Sequence, residues 1–127
     1  MIPSFSKNKE KGYIVESGSN ANGSYIKFSD GTMICIRTIT ETTECNQVWG
    51  SLFVKTIPGP WDFAQKFITI PHVQITLLTT TSASCWLINY GQPSVTKTNF
   101  SNISIARAVE SDSVSFKANI FAIGKWK

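Results

Sequence analysis

Few residues in this chain have the types needed for chemistry, and their spacing narrows what they can do. A catalytic triad or a zinc centre needs a histidine or an equivalent base, and the chain has one histidine, His72, placed just after Pro71 at the start of a predicted strand. Glycoside hydrolysis needs two carboxylates across a cleft, and the nearest approach is Glu110 with Asp112, adjacent in a loop between Arg107 and the last strand. Loop carboxylates flanked by Ser111 and Ser113 read as solvated side chains. The glycine-bearing stretch from Gly18 to Gly23 lacks both the lysine and the following helix of a phosphate-binding loop. The three cysteines, Cys35, Cys45 and Cys85, form no CxxC pair and fit reduced, partly buried thiols. The residues therefore predict a binding module with no catalytic centre, no metal and no cofactor.

Hydrogen bonding to a polar ligand is the chemistry the chain is best supplied for. Hydrophobic residues make up 42% and charged residues only 16%, which leaves a surface rich in Ser, Thr and Asn. The net charge of +4 is spread singly along the chain, with Lys7, Lys9 and Lys11 near one end and Lys125 and Lys127 at the other. That dispersal argues against a nucleic-acid partner, whose phosphates would call for clustered cations. No apolar run reaches the length of a membrane span, and Met1 to Lys11 lacks the apolar core of a signal peptide, so no membrane insertion is expected.

The elements that must position these groups are strands. Residues 1–12 have the turn-prone, charged composition of a leader or linker, and residues 13–127 read as one domain. Glu16 to Ser24 reads as a loop leading into a hairpin from Tyr25 to Ile36, turning at Asp30-Gly31. A two-residue type I′ turn there sets Ser29 opposite Thr32, Phe28 opposite Met33 and Ile26 opposite Cys35. Tyr25 and Ile36 then share the second face, which is apolar enough to be covered by a loop or a neighbouring subunit. A Thr/Glu-rich loop precedes a strand from Gln47 to Thr56, which the prolines at 58 and 60 end. His72 to Thr79 alternates with Val73, Ile75 and Leu77 inward. Cys85 to Tyr90 and Phe100 to Arg107 follow.

The last strand, Ser113 to Trp126, places Val114, Phe116, Ala118, Ile120 and Ala122 on one face, while Phe121 and Ile123 make the other face apolar near its end. Short strands, turn signals between them and no 3.6-residue apolar period predict an all-β fold, an antiparallel β-sandwich with a small barrel as the alternative.

The order of several segments resembles the C-terminal receptor-binding tip domains of bacteriophage and prophage tail fibres, whose fold is similar to the H-type lectins. The matching parts are Val15 to Cys35, the aromatic lead-in Phe63 to Pro71 with its following strand, Phe100, and Ala122 to Lys127. The resemblance implies an antiparallel β-sandwich of six to seven strands that forms a homotrimer at the end of a virion tail fibre, with residues 1–12 a leader or the end of the fibre shaft. It also implies a protein made in the host cytoplasm, joined to the rest of the fibre and attaching to a bacterial surface glycan of lipopolysaccharide or capsule. In H-type lectins the sugar lies near the subunit interface, among an Asp-bearing loop, an Arg-bearing strand and a Trp-His pair. The corresponding places here are Thr80-Thr81-Ser82, Cys85 to Tyr90 and Ala108-Val109-Glu110, which carry no such Asp, Arg or His. N-acetylgalactosamine specificity does not carry over. By location, Thr81, Asn89, Arg107, Glu110 and Asp112 are the expected hydrogen-bonding residues and Tyr90 the expected stacking ring. Tyr25, Ile36, Phe121 and Ile123 are the expected subunit contacts, with Trp86 and Trp126 in the core or an interface. A trimerisation or capping module without a receptor is the alternative, and a polysaccharide-degrading enzyme using Glu110 and Asp112 is the more distant one.

Overall fold

The computed structural model describes residues 12–127, so the expected leader lies almost wholly outside the described residues. All regular structure in it is strand: β1 (Ile14–Asn20), β2 (Gly23–Phe28), β3 (Thr32–Cys45), β4 (Gln47–Trp49), β5 (Leu52–Ile57), β6 (Trp61–Asp62), β7 (His72–Thr79), β8 (Trp86–Ile88), β9 (Ser94–Val95), β10 (Asn99–Ser101), β11 (Ile103–Arg107) and β12 (Ser111–Lys125). A five-stranded sheet, β1-β2-β3-β12-β7, packs against a four-stranded one, β4-β5-β11-β8, and a small sheet β6-β10-β9 closes one side. Every pairing is antiparallel. The expected antiparallel sandwich is the fold. Its segments number twelve, not six or seven, because several long runs are broken. Asn102, in the left-handed region at φ 68°, separates β10 from β11, and Gly50 at φ 61° turns the single strand expected over Gln47 to Thr56 into the β4–β5 hairpin.

The core follows the alternation of β12. Val114, Phe116, Ala118, Ile120 and Ala122 are buried, and β12 is hydrogen-bonded on both sides, to β3 and β7. Val73, Ile75 and Leu77 of β7 pack on the same cluster, as their spacing predicts. From the second sheet Ile103 and Ile105 close over it. The aromatic lead-in plugs one end: Phe63 meets Phe67 edge-on at 5.3 Å and Phe100 at 6.0 Å, while Trp61 stacks on Phe100 at 5.2 Å.

Three local expectations are overturned. Glu16 to Ser24 is not a loop: its first half is β1, which forms a hairpin with β2 across Ala21-Asn22. The Thr/Glu-rich stretch ahead of Gln47 is not a loop either, since β12 supplies a full-length partner for β3. The β2–β3 register is displaced by one residue, setting Lys27 opposite Met33, Ile26 opposite Ile34 and Tyr25 opposite Cys35. Only Gly31 enters the left-handed region, at φ 95°, and its N–H donates to the Phe28 carbonyl at 3.0 Å. This is a type I turn followed by a left-handed glycine, a three-residue loop in place of the two-residue type I′ turn. The Asp30 carboxylate caps it by accepting from the Thr32 N–H at 2.9 Å. A one-residue shift exchanges the two faces. Tyr25 and Lys27 therefore lie on the side of Met33 and Cys35, and Ile26 and Phe28 join Ile34 and Ile36 outside.

Phe116 is fully buried. Replacing it with Ala should cost about 3–5 kcal/mol in urea unfolding, whereas Ala at the exposed neighbour Lys117 should leave the midpoint nearly unchanged. Gly23→Ala should also destabilise, because at φ 115° a Cβ would meet the Ile36 carbonyl oxygen at 2.1 Å.

Candidate ligand-binding site

The six residues expected to bind ligand fall into two groups. Thr81 lies in the β7–β8 loop, Arg107 ends β11, Glu110 sits in the following turn and Asp112 opens β12, all at one end of the sandwich. Arg107 holds this end together: its Nε donates to the Val109 carbonyl at 2.9 Å, and its Nη1 donates to the Ser84 carbonyl. The guanidinium is thereby committed to two loops rather than offered to solvent. Thr81 Oγ1 accepts from the Ser115 N–H at 3.5 Å, while Glu110 and Asp112 are exposed.

Asn89 and Tyr90 lie at the other end. Trp86 is opposite Ala106 and Ile88 opposite Ser104, so the chain beyond β8 runs toward the start of β11, roughly 13 Å from Arg107 at strand rise. Asn89 borders a cleft of about 280 Å³ between the edge strands β7 and β8. Val73, Ile75, Phe100 and Ile103 line its apolar wall, and Ser94 and Asn102 add polar groups. The Asn102 side-chain amide donates to the Gln92 carbonyl at 2.9 Å, pinning the 91–93 turn beside the cleft. The Tyr90 ring instead meets Trp49 at 5.0 Å, and its hydroxyl accepts from Gln47 Nε2 at 3.2 Å. Neither Trp49 nor Gln47 belongs to the expected set. The signal that could have found them is an aromatic and an amide two residues apart beside the Gly50 turn.

The expected subunit face is also rearranged. Ile36 and Phe121 are directly paired across β3 and β12, as are Ile34 and Ile123, and Ile26 extends the second row. Ile36 is 45% exposed and Phe121 38%. Tyr25 does not belong to this face, because the hairpin register turns it inward. Its hydroxyl donates to Glu16 at 2.6 Å, and the Lys27 ammonium lies 5.6 Å from its ring and 5.3 Å from that of Trp126. Trp126 is fastened by its indole N–H to the Phe28 carbonyl at 2.8 Å.

His72 is exposed at the start of β7, opposite Ile123. Among the described residues no three His, Cys, Asp or Glu side chains converge as a metal site, and no helix is long and apolar enough to cross a membrane. Burial pushes the thiols of Cys35, Cys45 and Cys85 above their ordinary range, which disfavours the reactive thiolate.

No protein-family profile and no curated protein matches the sequence. Among solved structures, the fold is similar to those of two pyocin tail-fibre fragments. The C-terminal part of the P. aeruginosa R1 pyocin fibre aligns with a TM-score of 0.52 at 16% identity, over 87% of this chain and 28% of that one. An N-truncated R1-type pyocin tail fibre aligns with a TM-score of 0.54, also at 16% identity, over 95% of both chains. The chain thus spans just over a quarter of the longer fragment and nearly all of the shorter.

Two predictions follow from these contacts. Arg107→Ala should speed amide exchange in residues 80–85 and 108–110 and cost about 1–3 kcal/mol in chemical unfolding. The hydrogen bond from Tyr25, with help from Lys27, holds the Glu16 carboxyl below its ordinary range. A depressed folded pKa means the carboxylate stabilises the fold above its unfolded pKa and loses that effect as pH falls through the folded value. The melting-temperature gap between wild type and Glu16→Gln should accordingly shrink on acidification.

Proposed function

We propose that this chain is the tip domain of a phage-type tail fibre, which trimerises and attaches the particle to a carbohydrate of the bacterial envelope, in lipopolysaccharide or capsule. The observation that carries the reading is the fold held in common with an R1-type pyocin tail fibre over 95% of both chains. Binding without catalysis fits the placement of the ionisable groups: His72 stands alone on the outer face of the five-stranded sheet, and Glu110 and Asp112 are exposed in and beside a turn. Trimerisation accounts for the outer face of that sheet. Ile26, Ile34, Ile36, Phe121 and Ile123 make a continuous aliphatic and aromatic surface across β2, β3 and β12, of the kind that subunit contacts bury. In this reading the domain belongs to the virion, after synthesis in the host cytoplasm.

Sedimentation should give three times the chain mass for wild type and a monomer for Phe121→Asp, with the circular dichroism spectrum unchanged. Labelled wild type should bind a subset of bacterial strains, and periodate oxidation of their surface glycans should abolish binding. Failure to bind any envelope would overturn adhesion and favour a capping module, and a wild-type monomer would overturn the trimer.

A further inference from the structure

The outer face of the four-stranded sheet carries a second group of side chains that the core does not use. Phe53, Ile57, Ile103 and Ile105 pack toward the main core, so alternation turns Val54, Thr56, Ser104 and Ala106 outward. Val54 and Ala106 are nonetheless fully buried and lie outside the main core cluster. Their cover is the segment after β8. Ser104 Oγ donates to the Tyr90 carbonyl at 2.6 Å, and Gly91 approaches the Thr56 hydroxyl closely enough that a Cβ there would stand 2.4 Å from it. This carries the Tyr90 ring over the sheet to Trp49 and Gln47.

Two indoles flank that ring. The register Gln47–Val54–Ala106–Trp86 runs straight across the sheet, and Trp49 shares the side of β4 that Gln47 occupies. The two tryptophans therefore stand on the two edge strands, about 14 Å apart across the sheet at ordinary interstrand spacing. Trp49 is 47% exposed and Trp86 45%, whereas Trp61 is buried at 9%. No residue that alternation places on this face of β4, β5, β8 or β11 is charged, in a chain of net charge +4.

Flat exposed indoles on either side of a phenol and a carboxamide, with no charge among them, suit a neutral ring-shaped ligand with apolar C–H faces and hydroxyl edges. We propose that Trp49, Tyr90 and Trp86 form a stacking platform for a neutral segment of glycan, with the Gln47 amide and the Tyr90 hydroxyl serving sugar hydroxyls. This rests on the reading that the chain binds an envelope carbohydrate, and it locates the contact. The aliphatic face of the five-stranded sheet differs in kind: its interlocking isoleucines suit a second copy of the chain, whereas planar rings suit sugar.

The test titrates the full chain with delipidated O-polysaccharide from strains that bind it, and with dextran as a second neutral glycan, while following tryptophan fluorescence. Wild-type emission should shift to the blue on binding. Trp49→Ala and Trp86→Ala should each bind about tenfold more weakly, as loss of one aromatic stacking contact predicts, and Trp49→Phe should recover most of the affinity. The Trp86 side chain makes no hydrogen bond or ring contact among the described residues, so Trp86→Ala remains informative if Trp49→Ala disturbs Tyr90. Alanine variants that bind like wild type would overturn the platform and leave the adhesion reading standing. Variants that lose cell binding but keep polysaccharide binding would overturn it in favour of a protein receptor. Wild type that binds strains but neither glycan would overturn it as well, and wild type that binds no strain at all would remove the adhesion reading and the platform together.

Discussion

One internal strand of the larger sheet, next to its edge strand β7, carries the fold. β12 is hydrogen-bonded along most of its length to β3 and along half of it to β7, and its inward side chains are buried from Val114 to Ala122. Each large apolar side chain so removed from water is worth about 1.5–3 kcal/mol, and the row acts as a continuous floor for Ile103, Ile105 and Phe100. Because β3 must stay paired to β12 over this length, it extends through the Thr/Glu-rich stretch to Cys45. The C-terminal Trp126 then reaches back to the β2–β3 turn through its indole and its backbone N–H, which bonds Gly31 at 2.9 Å.

The two sheets present different outer faces as a consequence. On the larger sheet the odd-numbered residues of β12 near its end, Phe121 and Ile123, meet Ile36 and Ile34 in register. On the smaller sheet the inward row is completed by Ile103 and Ile105, so the small residues Val54 and Ala106 are left beneath Tyr90, between two exposed tryptophans. Aliphatic side chains suit protein packing, and planar rings beside amides suit sugar, so in the proposed reading subunits and ligand would meet the sandwich on opposite sides.

Where the period-two pattern is strong, the sequence is easily read. The buried face of β12 and the inward row of β7 follow from alternation alone. The hairpin at Asp30-Gly31 shows where this stops: the same dipeptide suits a two-residue turn and a three-residue turn with a left-handed glycine, and the two differ by one residue in register. Trp126, bonded to Phe28 across 98 residues of sequence, favours the second. Tyr25 consequently lies on the side of Met33 and Cys35, bonded to Glu16, and not on the face expected to meet a neighbouring subunit. The candidate binding residues separated for a related reason, since the direction of β8 sends Asn89 and Tyr90 away from Arg107, Glu110 and Asp112.

The sequence by itself determined the class of the fold, the inward face of its main strands, and the scarcity of groups for catalysis, because side-chain alternation and residue type are local properties. Tertiary structure decided which strands were broken, which hairpin register won, and which aromatic residues stood exposed together. These depend on pairings between distant segments, such as Trp126 with Phe28 and Tyr90 with Trp49, whose energies no local pattern contains.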